Sequence, residues 1–170
     1  MQRQEGLDFF DKARIWAGVI VLLAGLAAVV GSVVDWVTVT PPPDPPPGVD
    51  FEEETFAADE SSDPFNGLEA KDGWVTLAAG GVEMIAGLLL IMRRRGGWLG
   101  VLATVPMGAI AISIYQQLGS PTSELMERTQ TVGDADPGLG LTLIAGAAMA
   151  GLIASVIGLA ATPKNQSVVT

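Results

Sequence analysis

The chain has 170 residues, of which 49% are hydrophobic and 16% are charged, with a formal net charge of −10 at pH 7 and a mean hydropathy of +0.42. This composition excludes an ordinary soluble domain and predicts a small integral membrane protein. The lack of Cys and His also excludes disulfides, thiolate or imidazole metal sites, and Ser-His or Cys-His nucleophilic catalysis. We therefore expect neither enzyme activity nor a cofactor.

Four apolar runs are long enough to cross a bilayer as helices, which takes about 20 residues for a hydrocarbon core of about 30 Å. They are residues 15–34, 74–92, 98–115 and 139–161. The first run is longer than the apolar core of a signal peptide, and no A-x-A cleavage site follows it. The predicted fold is therefore all-α, with residues 1–170 forming a single four-helix transmembrane domain.

The first long connection, residues 35–73, carries eleven carboxylates against one Lys. It contains the sequence PPPDPPP, which favours an extended polyproline II spacer. The acidic residues that follow are compatible with a site for a cation or for a basic partner. Their spacing does not match an EF-hand, so a solvated acidic loop is the simpler interpretation.

The basic residues predict the orientation of the chain in the membrane. Seven of the nine lie in residues 1–14, 93–97 and 162–170, whereas residues 35–73 and 116–138 contain one each. Lys and Arg accumulate on the cytoplasmic side of membrane proteins. We therefore predict a multi-pass protein of the plasma membrane with both termini cytoplasmic and two outer loops.

Aromatic residues stand at the ends of the predicted helices. Indole and phenol rings combine an apolar body with a polar tip and so prefer the membrane interface. The predicted interface anchors are Trp16, Trp36, Trp74, Trp98 and Tyr115. The alternative, in which these rings pack in the core, would not concentrate them at helix ends.

Small residues at four-residue spacing predict close contacts between helices in lipid. The predicted packing positions in the last three helices are Gly80, Gly87, Gly100, Gly108, Gly146, Ala150, Ala154 and Gly158. Further members of such rows are Ala24, Ala28 and Ser32 in the first helix, and Ala147, Gly151 and Ser155 in the fourth. The pattern is the same for contacts within one chain and between copies, so a homo-oligomer stays open.

Glu83 is the only acidic or basic residue within the four predicted spans. It shares a helix face with Ala79 and Gly87, which predicts that it faces protein rather than lipid. At about 1.5 Å per residue it lies roughly 14 Å below Trp74, close to the bilayer midplane. A charge there is costly, so we expect a neutral carboxyl group unless a cation, water or hydroxyl group stabilises the charge. The candidate hydroxyl donors are Thr104, Ser113 and Ser32.

Three stretches carry a resemblance to a known class of proteins. They are residues 14–36, rich in Gly, Ala and Val and ending in Asp-Trp, the segment NGLEAKDGW, and the turn RRRGGW. In these the chain resembles small four-helix membrane proteins of actinobacterial type, which are largely uncharacterised. The resemblance implies a plasma-membrane location and no known reaction.

Two functions are compatible with these features. The first is a non-enzymatic accessory or interaction protein whose acidic outer loop contacts an extracytoplasmic partner protein. The alternative is a small oligomeric proton-coupled transporter or channel subunit that uses Glu83, similar to small multidrug exporters in helix number and in relying on one membrane Glu. We favour the first, because a neutral Glu83 that donates a hydrogen bond between helices needs fewer assumptions. Lipid is an expected partner of either, and nucleic acid is not.

Overall fold

A computed structural model of the chain describes residues 2–40, 64–68, 72–92, 94, 96–118 and 134–161. These residues form four helices, α1 (Gln2–Val33), α2 (Asp72–Ile91), α3 (Gly97–Leu118) and α4 (Leu139–Ala160). They also form three strands, β1 (Asp35–Thr40), β2 (Pro64–Asn66) and β3 (Asp134–Pro137). The Pro-rich spacer, the acidic residues after it and the C-terminal tail lie outside the described residues.

Each helix contains a segment that is long and apolar enough to cross a membrane. The segments are Phe9–Val33, Asp72–Ile91, Gly97–Gln116 and Leu139–Ala160. The prediction of four apolar membrane-length helices is therefore confirmed. Helix α1 begins at Gln2, well before the apolar run, in a stretch without Pro where Arg14 pairs with Asp11 one turn earlier at 3.1 Å.

The helices alternate in direction around a closed ring. Helix α1 packs against α2 and α4, and α3 packs against the same two helices, whereas α2 and α4 barely touch across the diagonal. The three strands lie at the end of the bundle where α1 ends and where α2 and α4 begin. We call this the sheet end, and we call the opposite end, where α2 connects to α3, the turn end.

The strands form an antiparallel sheet in the order β2-β1-β3. In the central strand, Val37 lies opposite Phe65 of β2 and Pro137 of β3. The fold is therefore mostly helical rather than all-α, and both predicted outer loops contribute strands. The alternating β-branched sequence DWVTVT is a strand signal. Its two partners are only three and four residues long and reveal no period of their own.

Trp36 connects the sheet to the bundle. Its side chain is 1% exposed, and its indole N–H donates a 2.8 Å hydrogen bond to the carbonyl oxygen of Gly31. That carbonyl is among the last four of α1, which have no donor within the helix. The backbone N–H of Gly138 in turn donates to the Trp36 carbonyl at 2.7 Å.

The prediction that Trp36 is an interface anchor is therefore wrong. Strand β1 starts two residues after α1 ends, so the ring turns back under the sheet instead of outward. Gly67 lies directly against the ring, where no side chain would fit. The other predicted anchors, Trp16, Trp74, Trp98 and Tyr115, are exposed. Their position at a membrane interface stays a prediction.

The buried apolar residues form two clusters along the bundle axis. The cluster toward the sheet end contains Trp36, Met107, Leu141 and Ile144, all of them fully or almost fully buried. The cluster toward the turn end contains Val21, Ala86, Leu90 and Ala154. The polar residues described next lie between and beside these two clusters.

Candidate functional site

Two pairs of glycines bring the backbones of α1 and α2 into contact. A Cβ atom at Gly25 would lie 2.6 Å from the carbonyl oxygen of Gly80, and one at Gly87 would lie 2.7 Å from that of Gly18. Both glycines of α2 thus face α1. Glu83, midway between them and turned about 50° from their direction by the helical period, points toward the centre of the bundle.

The side chain of Glu83 crosses from α2 to the seam between α3 and α4. It is 0% exposed. Its Oε1 atom occupies the place where a Cβ atom of Gly151 would stand, and the methyl carbon of Thr104 lies 3.1 Å from that same place. Glycine at position 151 is therefore what allows a glutamate at position 83.

Neither carboxyl oxygen of Glu83 has a hydrogen-bond partner among the described residues. The predicted hydroxyl donors are engaged elsewhere or point away. Thr104 donates to the carbonyl of Val101 at 2.9 Å, and Ser32 is paired with Thr76 at 2.7 Å. Ser113 lies on the exposed face of α3.

Another buried polar group without a partner lies one helical turn from Gly151 on the same face of α4. Ser155 is 0% exposed, and within the part of the chain that the structure describes its Oγ atom has no partner. That atom lies directly against Gly100 of α3. In the sequence, Ser155 stands out only as a small residue. The signal that could have revealed its position is the pair Gly151 and Ser155 on α4, which has the same four-residue spacing as Gly100 and Thr104 on α3.

A basic group is buried at the turn end of the bundle. Arg14 of α1 is 4% exposed and pairs with Asp11, but its Nε atom has no hydrogen-bond partner in the described ranges. Among the described residues, no group of three or more His, Cys, Asp or Glu could hold a metal ion. The polar chemistry of the described interior therefore consists of hydroxyl groups, one carboxyl group and one guanidinium group.

The predicted packing positions divide into two groups. Buried positions are Gly80, Gly87, Gly100, Ala154 and Gly158, and Gly108 is partly buried. Gly146 and Ala150 lie on the exposed face of α4, and a Cβ atom at Gly146 would meet no atom within 4 Å. On α4 the adjacent row of Ala147, Gly151 and Ser155 is the one turned inward. On α1, Gly18 and Gly25 make backbone contacts that sequence analysis did not single out.

An open apolar groove runs along the outside of the bundle between α2 and α3. It is lined by residues of both helices, among them Trp74, Val82, Leu102 and Pro106, and none of its lining side chains is ionisable. Glu83 is not among the lining residues of the groove, and its side chain points into the bundle toward Gly151.

Comparison with known proteins assigns no family to the chain. No protein-family model, no curated protein and no solved structure matches it.

Proposed function

We propose that the protein is a non-enzymatic membrane protein that presents its acidic segment, residues 41–63, to a partner protein outside the cytoplasm. The observation that carries this proposal is the sheet. The segment leaves the bundle from β1 and returns into β2, its antiparallel neighbour. Its two ends are therefore held close together at the sheet.

The sheet also anchors the end of the second long connection. Strand β3 follows residues 119–133 and pairs with the other edge of β1, with Thr38 opposite Asp136. The buried ring of Trp36 ties the central strand to α1. An interaction protein benefits from such anchoring, because a recognition segment with anchored ends loses less conformational freedom on binding.

The charge of the presented segment indicates the chemistry of the partner. Residues 41–63 contain eight carboxylates and neither Lys nor Arg. A basic protein surface is electrostatically complementary to such a segment. Residues 93–95, three consecutive arginines at the turn end, support an orientation with that end in the cytoplasm and the sheet end outside.

One observation favours a second candidate function, in which the protein is a proton-coupled transporter or channel subunit. The unpartnered carboxyl group of Glu83 at the centre of the bundle is a feature that ion-carrying membrane proteins use. Against it, the side chain is completely buried, so transport would require the helices to separate. We therefore rank it second.

Capture of the partner from the native membrane tests the first proposal. The full-length protein would be purified in a mild detergent after cross-linking, beside a variant with Glu52, Glu53, Glu54 and Glu60 changed to Gln. We expect a basic protein to copurify with the natural chain, and to be lost from the variant and at high salt. A Glu83→Gln variant serves as the control and should retain the partner. Homodimers alone, together with a Glu83-dependent proton flux in liposomes, would establish the second function instead.

A further inference from the structure

The buried polar groups without partners are unevenly placed along the bundle. Among the described residues they are the carboxyl group of Glu83, the hydroxyl group of Ser155 and the Nε atom of Arg14. Glu83 lies near the middle of α2, Ser155 lies in the second half of α4, and Arg14 lies near the start of the apolar part of α1. Because α1 runs toward the sheet and α4 runs away from it, all three lie between the centre and the turn end.

The half of the bundle toward the sheet end is different. Its core consists of large apolar side chains, including Trp36, Leu141 and Ile144. The one buried polar pair described there, Ser32 and Thr76, is joined by a 2.7 Å hydrogen bond. A cation at the centre of the bundle would therefore find no unpartnered oxygen atom in the described core toward the sheet, whereas toward the turn end it would find the hydroxyl oxygen of Ser155, beside the apolar cluster that contains Leu90.

The centre itself brings three oxygen-bearing side chains to one seam. Helices α3 and α4 are antiparallel, so Thr104 lies at the level of Gly151 and Gly100 at the level of Ser155. The two glycines leave room for the carboxyl group of Glu83 and the hydroxyl group of Ser155, which are one helical turn apart. Carboxylate and hydroxyl oxygens are the ligands that small hard cations prefer.

An ionised Glu83 at this seam would need a cation to balance its charge. A carboxylate without a counter-ion is strongly unfavourable at this depth, and residues 15–34, 98–115 and 139–161 contain no Lys or Arg. The residues that lie against the Glu83 carboxyl group on α3 and α4 are Thr104 and Gly151, Ser155 lies one turn further along α4, and Gly25 of α1 contacts the same turn of α2. None of these is charged or titratable. The nearest basic side chain described on the turn-end side, Arg14, is already paired with Asp11.

We propose that Glu83 and Ser155 form a binding site for one small monovalent cation, a proton or Na⁺, that enters from the turn end. As a proton, the ion would make Glu83 a hydrogen-bond donor to the hydroxyl oxygen of Ser155 once both side chains turn toward each other across the one helical turn between them. As Na⁺, it would be held between the carboxylate and the Ser155 hydroxyl oxygen. The site goes beyond the interaction function and needs no net transport, because its occupancy alone stabilises the bundle.

Leu90 is the residue that separates this site from the turn end. It is fully buried, and its methyl groups lie against Gly158, where a Cβ atom would be 2.8 Å away. Gly158 also neighbours Ala17, one turn after Arg14 on α1. An ion moving between the turn end and Glu83 therefore passes Leu90, whereas an ion from the sheet end would pass Leu141.

Occupancy can be tested on the purified full-length protein in detergent. The infrared carbonyl band of a protonated carboxyl group, obtained as the difference between the natural chain and Glu83→Gln, reports Glu83 alone among the acidic residues. We expect this band to disappear as the pH rises, with a midpoint that NaCl lowers and KCl does not if Na⁺ is the ion. If the proton alone binds, both salts have the same effect. A Glu83 band that stays unchanged across the stable pH range, in either salt, would overturn the site.

The role of the hydroxyl group is tested with a matched pair of serines. Ser155→Ala should weaken the apparent affinity for the proton or Na⁺ about tenfold, the usual effect of one hydrogen bond to a charged group. Ser113→Ala, on the exposed face of α3, should leave the affinity unchanged. Equal midpoints for all three proteins would exclude Ser155 from the site. If proton occupancy stabilises the bundle, the melting temperature of the natural chain should fall as the pH rises through the titration of Glu83, and that of Glu83→Gln should not show this fall.

The entry side is tested with two buried leucines. Leu90→Val removes one methylene group from the side chain that separates Glu83 from the turn end. Leu141→Val makes the same change on the side of the sheet end. We expect hydrogen–deuterium exchange of the Glu83 carboxyl band to become at least tenfold faster in the first variant and not in the second. Equal acceleration, or acceleration only by Leu141→Val, would overturn entry from the turn end. Neutralising residues 41–63 should not alter the titration, so this site and the partner interaction can fail independently.

Discussion

Several buried side chains of this protein fit into space left by a glycine on another element. Glu83 extends into space that exists only because residue 151 has no side chain. The same relation joins Ser155 to Gly100 and the ring of Trp36 to Gly67. In each pair a polar or large side chain on one element faces a glycine on another. The effect of changing such a glycine therefore depends on its partner more than on its own helix.

The pair formed by Glu83 and Gly151 predicts a sharp difference between two glycines of α4. Gly151→Ala should lower the free energy of unfolding by about 1–3 kcal/mol, because the new methyl group displaces the Glu83 carboxyl group in a packed core. Gly146→Ala is the control: its Cβ atom meets nothing within 4 Å, so stability should stay the same or rise by up to about 1 kcal/mol. Reversible unfolding in detergent measures both. Equal losses would contradict the packing of Glu83 described above.

Trp36 predicts a similar difference between two tryptophans. Trp36→Phe removes the indole donor from the buried carbonyl of Gly31 and leaves a small cavity, so it should cost about 1–3 kcal/mol. Trp98→Phe changes an exposed ring and should cost less than about 1 kcal/mol. The fluorescence emission of the Trp36→Phe variant should also lose its component from a solvent-shielded indole. A variant that keeps that component would show that another tryptophan is the buried one.

At the scale of elements, α1 and α2 form the closest helix pair because backbone meets backbone along their seam. Small residues permit this approach, and dispersion contacts between the backbones then stabilise the pair in lipid, where the hydrophobic effect contributes little. Four glycines, Gly18, Gly25, Gly80 and Gly87, occur at seven-residue spacing on the two helices. This spacing keeps them on one line of contact through two helical turns.

The seam predicts which glycine of α2 tolerates a side chain. At Gly87 a Cβ atom would lie 2.6 Å from the backbone nitrogen of Leu22, and a backbone cannot move aside as a flexible side chain does. Gly87→Ala should therefore separate α1 from α2 and cost about 1–3 kcal/mol. Gly81→Ala, on the same helix but in open space, should change stability by less than about 1 kcal/mol. Thermal unfolding distinguishes them, and a stable Gly87→Ala protein would argue against a glycine seam.

At the scale of the whole molecule, charge and architecture divide the protein into two unlike ends. The sheet end gathers both long connections, and the segment 41–63 that leaves it carries eight carboxylates. The turn end carries the short connection with Arg93, Arg94 and Arg95. This polarity underlies the proposed orientation, because positive flanks remain on the cytoplasmic side. With that orientation, the proposed entry of a cation from the turn end is entry from the cytoplasm.

The orientation can be measured with single cysteines, because the natural chain has none. Ser61→Cys places a thiol in the first long connection, and Ser167→Cys places one in the C-terminal tail. With a membrane-impermeant maleimide on intact cells, we expect labelling of the first variant only. The second should react after permeabilisation. The reverse pattern would put the sheet end in the cytoplasm and remove the basis for an extracytoplasmic partner.

The properties predictable from the sequence were those that depend on local composition. Membrane-length helices follow from uninterrupted apolar runs, and the described residues contain four such helices. Glu83 stood out because no other acidic or basic residue lies in the spans. The strand partners β2 and β3 escaped prediction because their pairing with β1 joins residues about 30 and 100 positions apart, and nothing in three or four residues encodes that contact.

The candidate site, too, was predictable from the sequence only in part. The sequence by itself determined that one carboxyl group would have to be accommodated in an apolar bundle without a Lys or Arg beside it, since residue supply and span boundaries are read directly from the chain. Only the tertiary structure decided which residues surround it, because helix rotation chooses the face that is buried. That choice placed Gly151 and Ser155 inside and Gly146 and Ala150 outside. It also turned Trp36 into the core, where its indole N–H donates to a carbonyl group in the last turn of α1.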